Sequence, residues 1–353
     1  MTTLGGAEFA PETTYLNTST AGLLPRSSVE AVRDLAAKSA TGSYDGSDGY
    51  ESVESARASF ARIAGVDPSR VALGGSVAAH VALVAASLPA GAEVLFPEGE
   101  FSSVITPFTI RGDLKLRYVP LDALAQSVRP GTALVAFSVV QSVDGRLADT
   151  ASILAAASAH GARTLADLSQ AAGWLPLDAG AFDYTVTGGF KFLLSPRGVS
   201  FLTVTEEAQG LLPPLYAGWV AAESPWDSTY GPVERLASTA RRLDAPPSFL
   251  AYHAAARSLA LLEATGIETI HAHAVGLASL FREGAAGLGF SPVEAGAGGA
   301  SAVVAVRGLG ERQLSLREAG VVVAARGGNL RVAFHLYNAS ADVRRVLEAL
   351  APR

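Results

Sequence analysis

The sequence predicts an α/β protein whose larger domain has a mostly parallel sheet of seven strands, followed by a smaller C-terminal α+β domain. The chain has 353 residues, 49% hydrophobic and 17% charged, so it can bury a large core. Through residues 71–204, short apolar runs mostly alternate with alanine-rich helical stretches, as in strands joined by crossover helices. Beyond a Pro/Trp/Tyr-rich segment, residues 206–231, further helical and strand patterns indicate the second domain.

The predicted elements begin with two helices. The first is a capped helix near Ser27–Lys38, and the second lies at about Val53–Ile63, after the Gly/Ser-rich stretch TGSYDGSDGYES. Ligands of parallel sheets sit at the carboxyl ends of the strands, so the residues that follow each strand are candidates for function. Seven runs of strand length are predicted at Val71–Leu73, Glu93–Phe96, Leu116–Pro120, Ala133–Ser138, Thr164–Ala166, Asp183–Thr187 and Val199–Val204.

The C-terminal part carries a different order of elements. Long helices are predicted near Ser248–Thr265 and Glu268–Gly287, and a last helix begins at Ala341. Between them lie strands at Ala302–Arg307, Val321–Ala324 and Leu330–Phe334. The predicted division is an N-terminal segment, 1–30, that joins the small domain; a large domain, 31–245; and a small domain, 246–353.

Composition narrows the classes of function. The net charge of -6 and the absence of any basic run give no electrostatic footprint for nucleic acid or an anionic membrane. No apolar stretch approaches the roughly 20 residues of a membrane span, and the N-terminus does not resemble a signal peptide, so we expect a cytoplasmic protein. The chain has no cysteine, which removes disulfides, thiolate metal sites and thiol nucleophiles. The histidines show no metal-ligand spacing, so no metal is expected and the partners are predicted to be small molecules.

Lysine is rare in this chain. Of the 27 basic residues 24 are arginine, and the lysines are Lys38, Lys115 and Lys191. Lys38 ends an amphipathic run and Lys115 lies in the alternating stretch DLKLRYV, so both are predicted on solvated faces. Lys191 lies among glycines and aromatics in TGGFKFLLSPRG, where its ammonium would be partly desolvated and an arginine could not replace its chemistry.

Two strand ends carry candidate ligand-binding residues. An apolar strand runs into Gly74, Gly75 and Ser76 before a helix, and such a turn can bind an anion such as phosphate with backbone N–H groups and the helix dipole. An ordinary strand–helix turn is the alternative. Asp167 ends another strand, with Gln170 three residues on. A carboxylate there can keep a ligand's ring nitrogen protonated, or it can be a helix N-cap.

Lys191 follows Asp167 by 24 residues, after another short strand. These motifs resemble, in order, those of the class V aminotransferase branch of the fold-type I enzymes, which use pyridoxal 5'-phosphate (PLP). The resemblance runs from YLNTSTAGLLP to NLRVAFHLYNASADVRRVLEAL, nearly the whole chain. The family signature D-x-x-Q, F-D and G-G-x-K-x-L-x-x-P-x-G is met by Asp167, Gln170, Phe182, Asp183, Gly188, Gly189, Lys191, Leu193, Pro196 and Gly198.

The resemblance implies a role for each matching residue around the cofactor. Lys191 would form the imine with PLP, Asp167 would pair with the pyridinium nitrogen, and Gln170 would contact the ring hydroxyl. Phe101 falls where the family stacks an aromatic ring on the cofactor, with a core phenylalanine as the alternative. The phosphate loop would be Gly75, Ser76 and Val77.

The substrate side follows from the same resemblance. Arg331 aligns with the arginine that binds the substrate α-carboxylate, where a planar guanidinium suits bidentate binding. Asn17 lies in the N-terminal substrate-site segment. Either Gln141 or Ser142 lies near the position that contacts the ring hydroxyl, and the sequence does not choose between them. The resemblance also implies an α-amino-acid substrate and a homodimer.

The chain departs from the family pattern at the phosphate side. Phe190 replaces the histidine that precedes the lysine in cysteine desulfurases, and Gly188 replaces a serine that helps to hold the phosphate. Thr187 is the candidate to take over from that serine. The segment RRLDAPPSF lacks the Gly-Thr pair that reaches a neighbouring subunit's phosphate in many relatives. The sequence therefore does not predict that cross-subunit contact.

The implied reactions share one first step, removal of the Cα proton of an amino acid bound to PLP. Loss of a group from Cβ, transamination and epimerisation can each follow. Desulfuration is excluded because it needs a cysteine thiolate to accept sulfur. We expect β-elimination from a cysteine S-conjugate, with transamination next, and the aromatic-rich stretch 216–230 is either a wall over a bulky substrate or a packing anchor. A non-catalytic PLP-binding protein is the alternative, although the retention of Lys191 argues against it.

Overall fold

The computed structural model describes residues 1–44 and 46–351 of the chain. Its strands are β1 (Thr14–Tyr15), β2 (Val71–Gly74), β3 (Glu93–Pro97), β4 (Lys115–Val119), β5 (Thr132–Ser138), β6 (Arg163–Asp167), β7 (Tyr184–Gly188), β8 (Ser200–Val204), β9 (Val303–Val306), β10 (Val321–Val322), β11 (Ala324–Arg326) and β12 (Asn329–Ala333). Its α-helices are α1 (Arg26–Thr41), α2 (Ser47–Ala64), α3 (Val77–Ser87), α4 (Ser102–Arg111), α5 (Thr150–His160), α6 (Glu206–Gln209), α7 (Phe249–Thr265), α8 (Ile267–Gly287), α9 (Gln313–Glu318) and α10 (Ser340–Leu350).

The large sheet has seven strands within the described ranges, in the order β2-β8-β7-β6-β5-β3-β4. All neighbours are parallel except that β8 runs antiparallel to both β2 and β7. Strand β8 is antiparallel to β7 because residues 189–199 join the two strands without a helix. A parallel pair would need a longer crossover connection, which is usually a helix. The predicted mostly parallel α/β fold is confirmed, and this antiparallel turn carries Lys191.

The central strands are buried on both faces. In β5, Leu134 and Ala136 belong to one apolar cluster, whereas Val135 and Phe137 belong to a second cluster on the other face. Successive side chains of a strand point to opposite faces, so an uninterrupted apolar run is what a sheet covered by helices on both sides requires. The side chains that leave the strands at their carboxyl ends are therefore the ones free to meet a ligand.

Two helix starts differ from the sequence-based expectation. Helix α1 begins after Pro25 without a side-chain cap, and the backbone N–H and hydroxyl of Ser27 both donate to the Glu8 carboxylate, at 2.9 and 2.8 Å. Helix α2 begins at Ser47, inside the stretch predicted as a loop, after Gly46 in a left-handed conformation. Packing of α2 against α7 overrides the weak helix propensity of its first glycine- and serine-rich residues.

The smaller C-terminal sheet has the order β11-β12-β9, with antiparallel neighbours. The N-terminal segment reaches this region, because β1 pairs in parallel with β10 and Asn17 bridges to Ala333. The pairing of β1 was not predicted, since two residues carry no periodic signal. The proposed domain boundaries stay a prediction. Across the described residues, no helix combines the length and apolarity needed to cross a bilayer.

A buried ion pair fixes the strand that leads into the Gly74 turn. Arg57 of α2 and Asp244 are both buried, and their side chains meet at 2.7 Å. Asp244 also accepts the backbone N–H of Leu73 at 2.8 Å, and Arg57 donates to the carbonyl of Val71 at 2.7 Å. The pair therefore holds α2, β2 and the loop before α7 together.

Replacing Asp244 with alanine would remove the buried carboxylate partner of Arg57, leave only the half-exposed Glu54 at 3.0 Å to balance its charge, and deprive the Leu73 N–H of its acceptor. We expect the Asp244→Ala substitution to lower the free energy of unfolding by about 3–5 kcal/mol, measured by urea denaturation. The matched control is Arg62→Ala, which removes the solvent-exposed pair with Glu263 and should cost less than about 1 kcal/mol. Equal losses in the two variants would contradict the role given to the buried pair.

Candidate active site

A cavity of about 280 Å³ lies at the carboxyl ends of β2, β6 and β7. Side chains from four places in the sequence converge there, as expected for a sheet of this topology. The parallel register sets Asp167 at the end of β6 beside Ser138 of β5 and Val186 of β7. The lining residues are Gly75, Ser76, Val77, Phe101, Ser103, Asp167, Ser169, Gly188, Phe190, Lys191, Arg197, Gly198 and Val199.

Lys191 is a buried amine in the turn between β7 and β8. Its Nζ lies 5.0 Å from the centre of the Phe101 ring and 5.7 Å from that of Phe190. Burial lowers the pKa of the ammonium, Asp167 opposes that shift, and Arg331 adds to it. The neutral amine is the nucleophile in imine chemistry, so this environment favours a reactive lysine.

The other two lysines lie away from the cavity, as predicted. Lys115 is exposed, and the Lys38 ammonium lies 3.1 Å from the Asp34 carboxylate on the surface of α1. The contrast in burial makes Lys191 the candidate for covalent chemistry.

Asp167 is buried, and burial raises the pKa of its carboxyl while Lys191 lowers it. One carboxylate oxygen accepts the backbone N–H of Ser169 at 2.7 Å. Residues 169–174 form turns and not a helix, so the helix N-cap alternative for Asp167 is wrong. A cavity-lining carboxylate at this place can face a protonated ring nitrogen.

The predicted phosphate loop lies at the start of α3. Ser76 is the N-cap, and its hydroxyl accepts the N–H of Ala79 at 3.3 Å. A Cβ on Gly75 would have no neighbour within 4 Å, whereas one on Gly74 would approach the His80 ring to 2.8 Å. Gly74 is thus required by packing, and the region around Gly75 is open to a ligand at the positive end of the helix dipole.

Thr187 does not lie among the cavity-lining residues. Its hydroxyl is buried and has no hydrogen-bond partner among the described residues. Ser169, which was not predicted, does line the cavity, and its hydroxyl accepts the N–H of Gly188 at 2.8 Å. The sequence signal for Ser169 was its place between Asp167 and Gln170, in the same turn.

Arg331 lies on β12 and is buried. It donates to the carbonyl of Ser142, to the Ser142 hydroxyl at 3.3 Å and to the Thr20 hydroxyl at 2.9 Å, while its Nε has no partner among the described residues. Burial, with Arg326 nearby, lowers the pKa of Arg331 to about 10. Every partner recorded for this guanidinium is uncharged. A buried cation whose hydrogen-bond partners are all neutral, and which has another cation nearby, is suited to bind an anion.

Gln141 and Ser142 have different partners. The Gln141 amide donates to the buried Glu100 carboxylate at 3.1 Å. The Ser142 hydroxyl instead accepts from the Gln170 amide at 3.2 Å and lies beside Arg331. Of the two candidates, Ser142 is therefore the residue joined to Gln170.

Two side-chain oxygens on this side are left unsatisfied. The amide oxygens of Gln170 and Asn17 are both buried and have no hydrogen-bond partner in the described part of the chain. Buried polar atoms normally have a partner, so each is available to a bound molecule.

The aromatic-rich stretch 216–230 packs elsewhere. Trp226 lies 5.1 Å from Trp219 and 5.6 Å from Tyr50 of α2, between ring centres. Among the described residues that line the cavity, none comes from this stretch. Trp219 and Trp226 therefore pack with Tyr50, Tyr216 and Tyr230 are exposed, and the stretch forms no wall over the cavity of this chain.

The residue set fits PLP. A lysine amine, a buried carboxylate at a strand end, an aromatic ring and a helix N-terminus border one cavity. The unpartnered amide oxygen of Gln170 lies on the same turn as Asp167. In that order, the lysine, the carboxylate, the aromatic ring and the helix N-terminus suit imine formation with PLP and contacts with its ring nitrogen, its ring face and its phosphate.

Comparisons with known proteins agree with this fit. The family model described as Aminotransferase class-V matches residues 15–290. An uncharacterized aminotransferase, YcbU, from Bacillus subtilis is 28% identical over 87% of this chain and 85% of its own length. Isopenicillin N epimerase from Amycolatopsis lactamdurans is 28% identical over 96% of this chain and 95% of its own length.

A solved structure shares the fold. The cystine C-S lyase C-DES, in complex with its reaction product cysteine persulfide, has a TM-score of 0.86 and 23% identity, covering 97% of this chain and 98% of that one. The protein is a fold-type I PLP-dependent enzyme. Within that class, the chain belongs to the class-V aminotransferase family.

The interaction between Asp167 and Lys191 predicts a pH effect. In the cofactor-free protein, Lys191 reacts as the neutral amine, which forms above the pKa of its ammonium. Asp167 raises that pKa against the effect of burial. The Asp167→Asn substitution removes the opposing charge, so the half-maximal rate of reductive methylation at Lys191 should move to lower pH, measured by mass spectrometry of peptides.

The exposed Lys115 serves as the reference within each sample, because it lies away from Asp167. A Lys191 profile that stays in place, or moves to higher pH, would show that Asp167 does not act on the amine.

Proposed function

We propose that this enzyme is a carbon–sulfur lyase. It would take up water and convert a cysteine S-conjugate into a thiol, pyruvate and ammonia. One observation carries the proposal: the cavity offers the buried Lys191 amine as a proton carrier, while the 353 residues contain no cysteine that could accept sulfur. A sulfur-containing leaving group would then depart as a thiol.

PLP, when bound, stabilises negative charge at the α-carbon of an amino acid joined to it. Asp167 would hold the ring nitrogen protonated by placing a negative charge beside it. The side chain can do so because it is buried at the end of a rigid strand and is oriented by the N–H of Ser169. Phe101 would cover one face of the ring, since its ring lies 5.0 Å from the Lys191 nitrogen.

Lys191 would carry the proton. Its neutral amine would remove the proton from Cα and deliver it to the departing sulfur. The lowered pKa of Lys191 suits this role, because a general base works best when its pKa lies near the operating pH. Lys191 is buried beside the Phe101 and Phe190 rings, so water would have little access to its nitrogen.

Arg331 would bind the α-carboxylate of the substrate. Its recorded partners are the neutral groups of Ser142 and Thr20, and its unpartnered Nε leaves a donor for the anion. The amide of Gln170 would orient the cofactor ring through its free oxygen while its nitrogen is held by Ser142 and by the carbonyl of Ser19. Asn17 would contribute its unpartnered amide oxygen to the substrate side.

Transamination is the second candidate. The family name and the name of the Bacillus subtilis relative favour it, and it uses the same proton carrier. Epimerisation is the third, on the name of the Amycolatopsis lactamdurans relative. The three reactions differ in the fate of the substrate after Cα loses its proton.

Product analysis separates these reactions. With a panel of cysteine S-conjugates, we expect pyruvate in multiple turnovers without any added 2-oxo acid, assayed with lactate dehydrogenase. Transamination would instead convert the cofactor to its pyridoxamine form and stop until 2-oxoglutarate is supplied. Epimerisation would return the amino acid with inverted Cα. Absence of pyruvate with either of these results overturns the lyase proposal.

Loss of Arg331 should affect the substrate and not the cofactor. For Arg331→Gln we expect kcat/KM to fall roughly 10- to 100-fold, because a charge-assisted hydrogen bond contributes about 1.5–3 kcal/mol. The affinity for PLP, followed by absorbance, should be unchanged. The matched variant Arg331→Lys keeps the positive charge but not the planar guanidinium, so its kcat/KM should lie between those of the wild type and Arg331→Gln. A loss of PLP affinity equal to the loss of kcat/KM would contradict the assignment.

We also propose a homodimer. An apolar groove lies on the surface next to the cavity, where Leu24 and Leu250 are exposed. A contiguous apolar surface of this kind favours association. Light scattering of the PLP-loaded protein should give twice the monomer mass, and a Leu250→Glu substitution should reduce it. A wild-type protein that stays monomeric at micromolar concentration would rule this out.

A further inference from the structure

Arg197 lies on the wall of the cavity without an ionic partner. It is exposed, and it forms no ion pair or hydrogen bond with any described residue. Its guanidinium carbon instead lies 4.2 Å from the centre of the Phe190 ring. Stacking on an aromatic face leaves the N–H groups at the rim of the guanidinium available to another molecule.

The Phe190 ring connects Arg197 to the start of α3. A Cβ built on Gly188 would meet a Phe190 ring carbon at 3.4 Å and a methyl carbon of Val77 at 3.6 Å. The ring edge and Val77, the first residue of α3, therefore border the same space above Gly188. Arg197, held on that ring, is at the same end of the cavity as the helix N-terminus.

The charges of the lining residues show why this position matters. Lys191 and Arg197 are the two cationic side chains among the described lining residues, and Lys191 is engaged by the cofactor's carbonyl group in the proposed function. The hydroxyls near the helix start, those of Ser76 and Ser169, are neutral. Phe190 offers no hydrogen-bonding group. A phosphate dianion at this end would thus have Arg197 as its full positive charge.

We propose that Arg197 binds the phosphate of PLP and that stacking on Phe190 positions its guanidinium. This inference rests on the assignment of Lys191 as the attachment point, but it is independent of which reaction follows. Two N–H groups of a guanidinium can hold two phosphate oxygens in one plane, while the N–H groups of α3 contact the others. In this proposal Phe190, which replaces the histidine of cysteine desulfurases, supports the Arg197 guanidinium by stacking.

The test compares PLP with pyridoxal, which lacks the phosphate. Cofactor-free wild type, Arg197→Gln and Arg197→Lys are titrated with each compound, and binding is followed by the absorbance band of the lysine-linked form. We expect Arg197→Gln to weaken PLP binding about tenfold or more while pyridoxal binding changes little. Arg197→Lys should recover part of the affinity, since it restores the charge without the planar fork.

Two further variants define the geometry. Arg344→Gln removes an exposed arginine from α10, outside both the cavity lining and the groove proposed for the dimer, and should leave both affinities at their wild-type values. Phe190→Leu should weaken PLP binding more than pyridoxal binding, because the guanidinium loses its platform.

The possible failures can be told apart. If Arg197→Gln weakens PLP and pyridoxal equally, or neither, Arg197 does not bind the phosphate and the inference is wrong. If the wild type gives no absorbance band of a lysine-linked form with either compound, the assignment of Lys191 is wrong instead.

Discussion

The antiparallel turn between β7 and β8 is the constraint on which the site depends. Because no crossover helix separates these strands, residues 189–199 must turn at the carboxyl end of the sheet. The turn brings Lys191 into a buried position beside the end of β6, where Asp167 is also buried. Burial alone would favour the neutral forms of both groups, and their mutual attraction opposes it. A cofactor that is joined to the amine and has a cationic ring nitrogen satisfies both groups together.

A second set of contacts joins distant parts of the chain to this centre. The hydroxyl of Ser142 lies between the Gln170 amide and the Arg331 guanidinium, and the hydroxyl of Thr20 also accepts from Arg331. Residues from the N-terminal segment, the loop after β5 and β12 therefore share one polar network. The network fixes the orientation of the Arg331 guanidinium only while all of its hydrogen bonds are formed. Binding of a substrate carboxylate by Arg331 would therefore depend on all three segments.

The strands were predictable because a buried sheet imposes an uninterrupted apolar run on the sequence. The predicted run at Ala133–Ser138 corresponds to β5, Thr132–Ser138, and the other six large-sheet strands agree as closely. Strand direction was less accessible, since it depends on the length of a connection and not on periodicity. The early start of α2 depends on packing against α7, which no local pattern records.

The candidate site was predictable where a residue's chemistry is unusual for its context. Lys191 was identified by the rarity of lysine and Asp167 by its place at a strand end. Arg197 was missed, because arginine is common in this chain and the position of its side chain against Phe190 is known only in three dimensions. The choice between Gln141 and Ser142 was likewise not predictable, because only the structure shows that the Gln141 amide donates to the Glu100 carboxylate.

The central claim is that the Lys191 amine holds PLP, and covalent trapping tests it most directly. The PLP-loaded protein is reduced with borohydride, digested and mapped by mass spectrometry. The account predicts one pyridoxyl group, on the peptide that contains Lys191, and none on peptides with Lys38 or Lys115. A label on either of those two lysines, or no label on a protein that retains PLP, would contradict it.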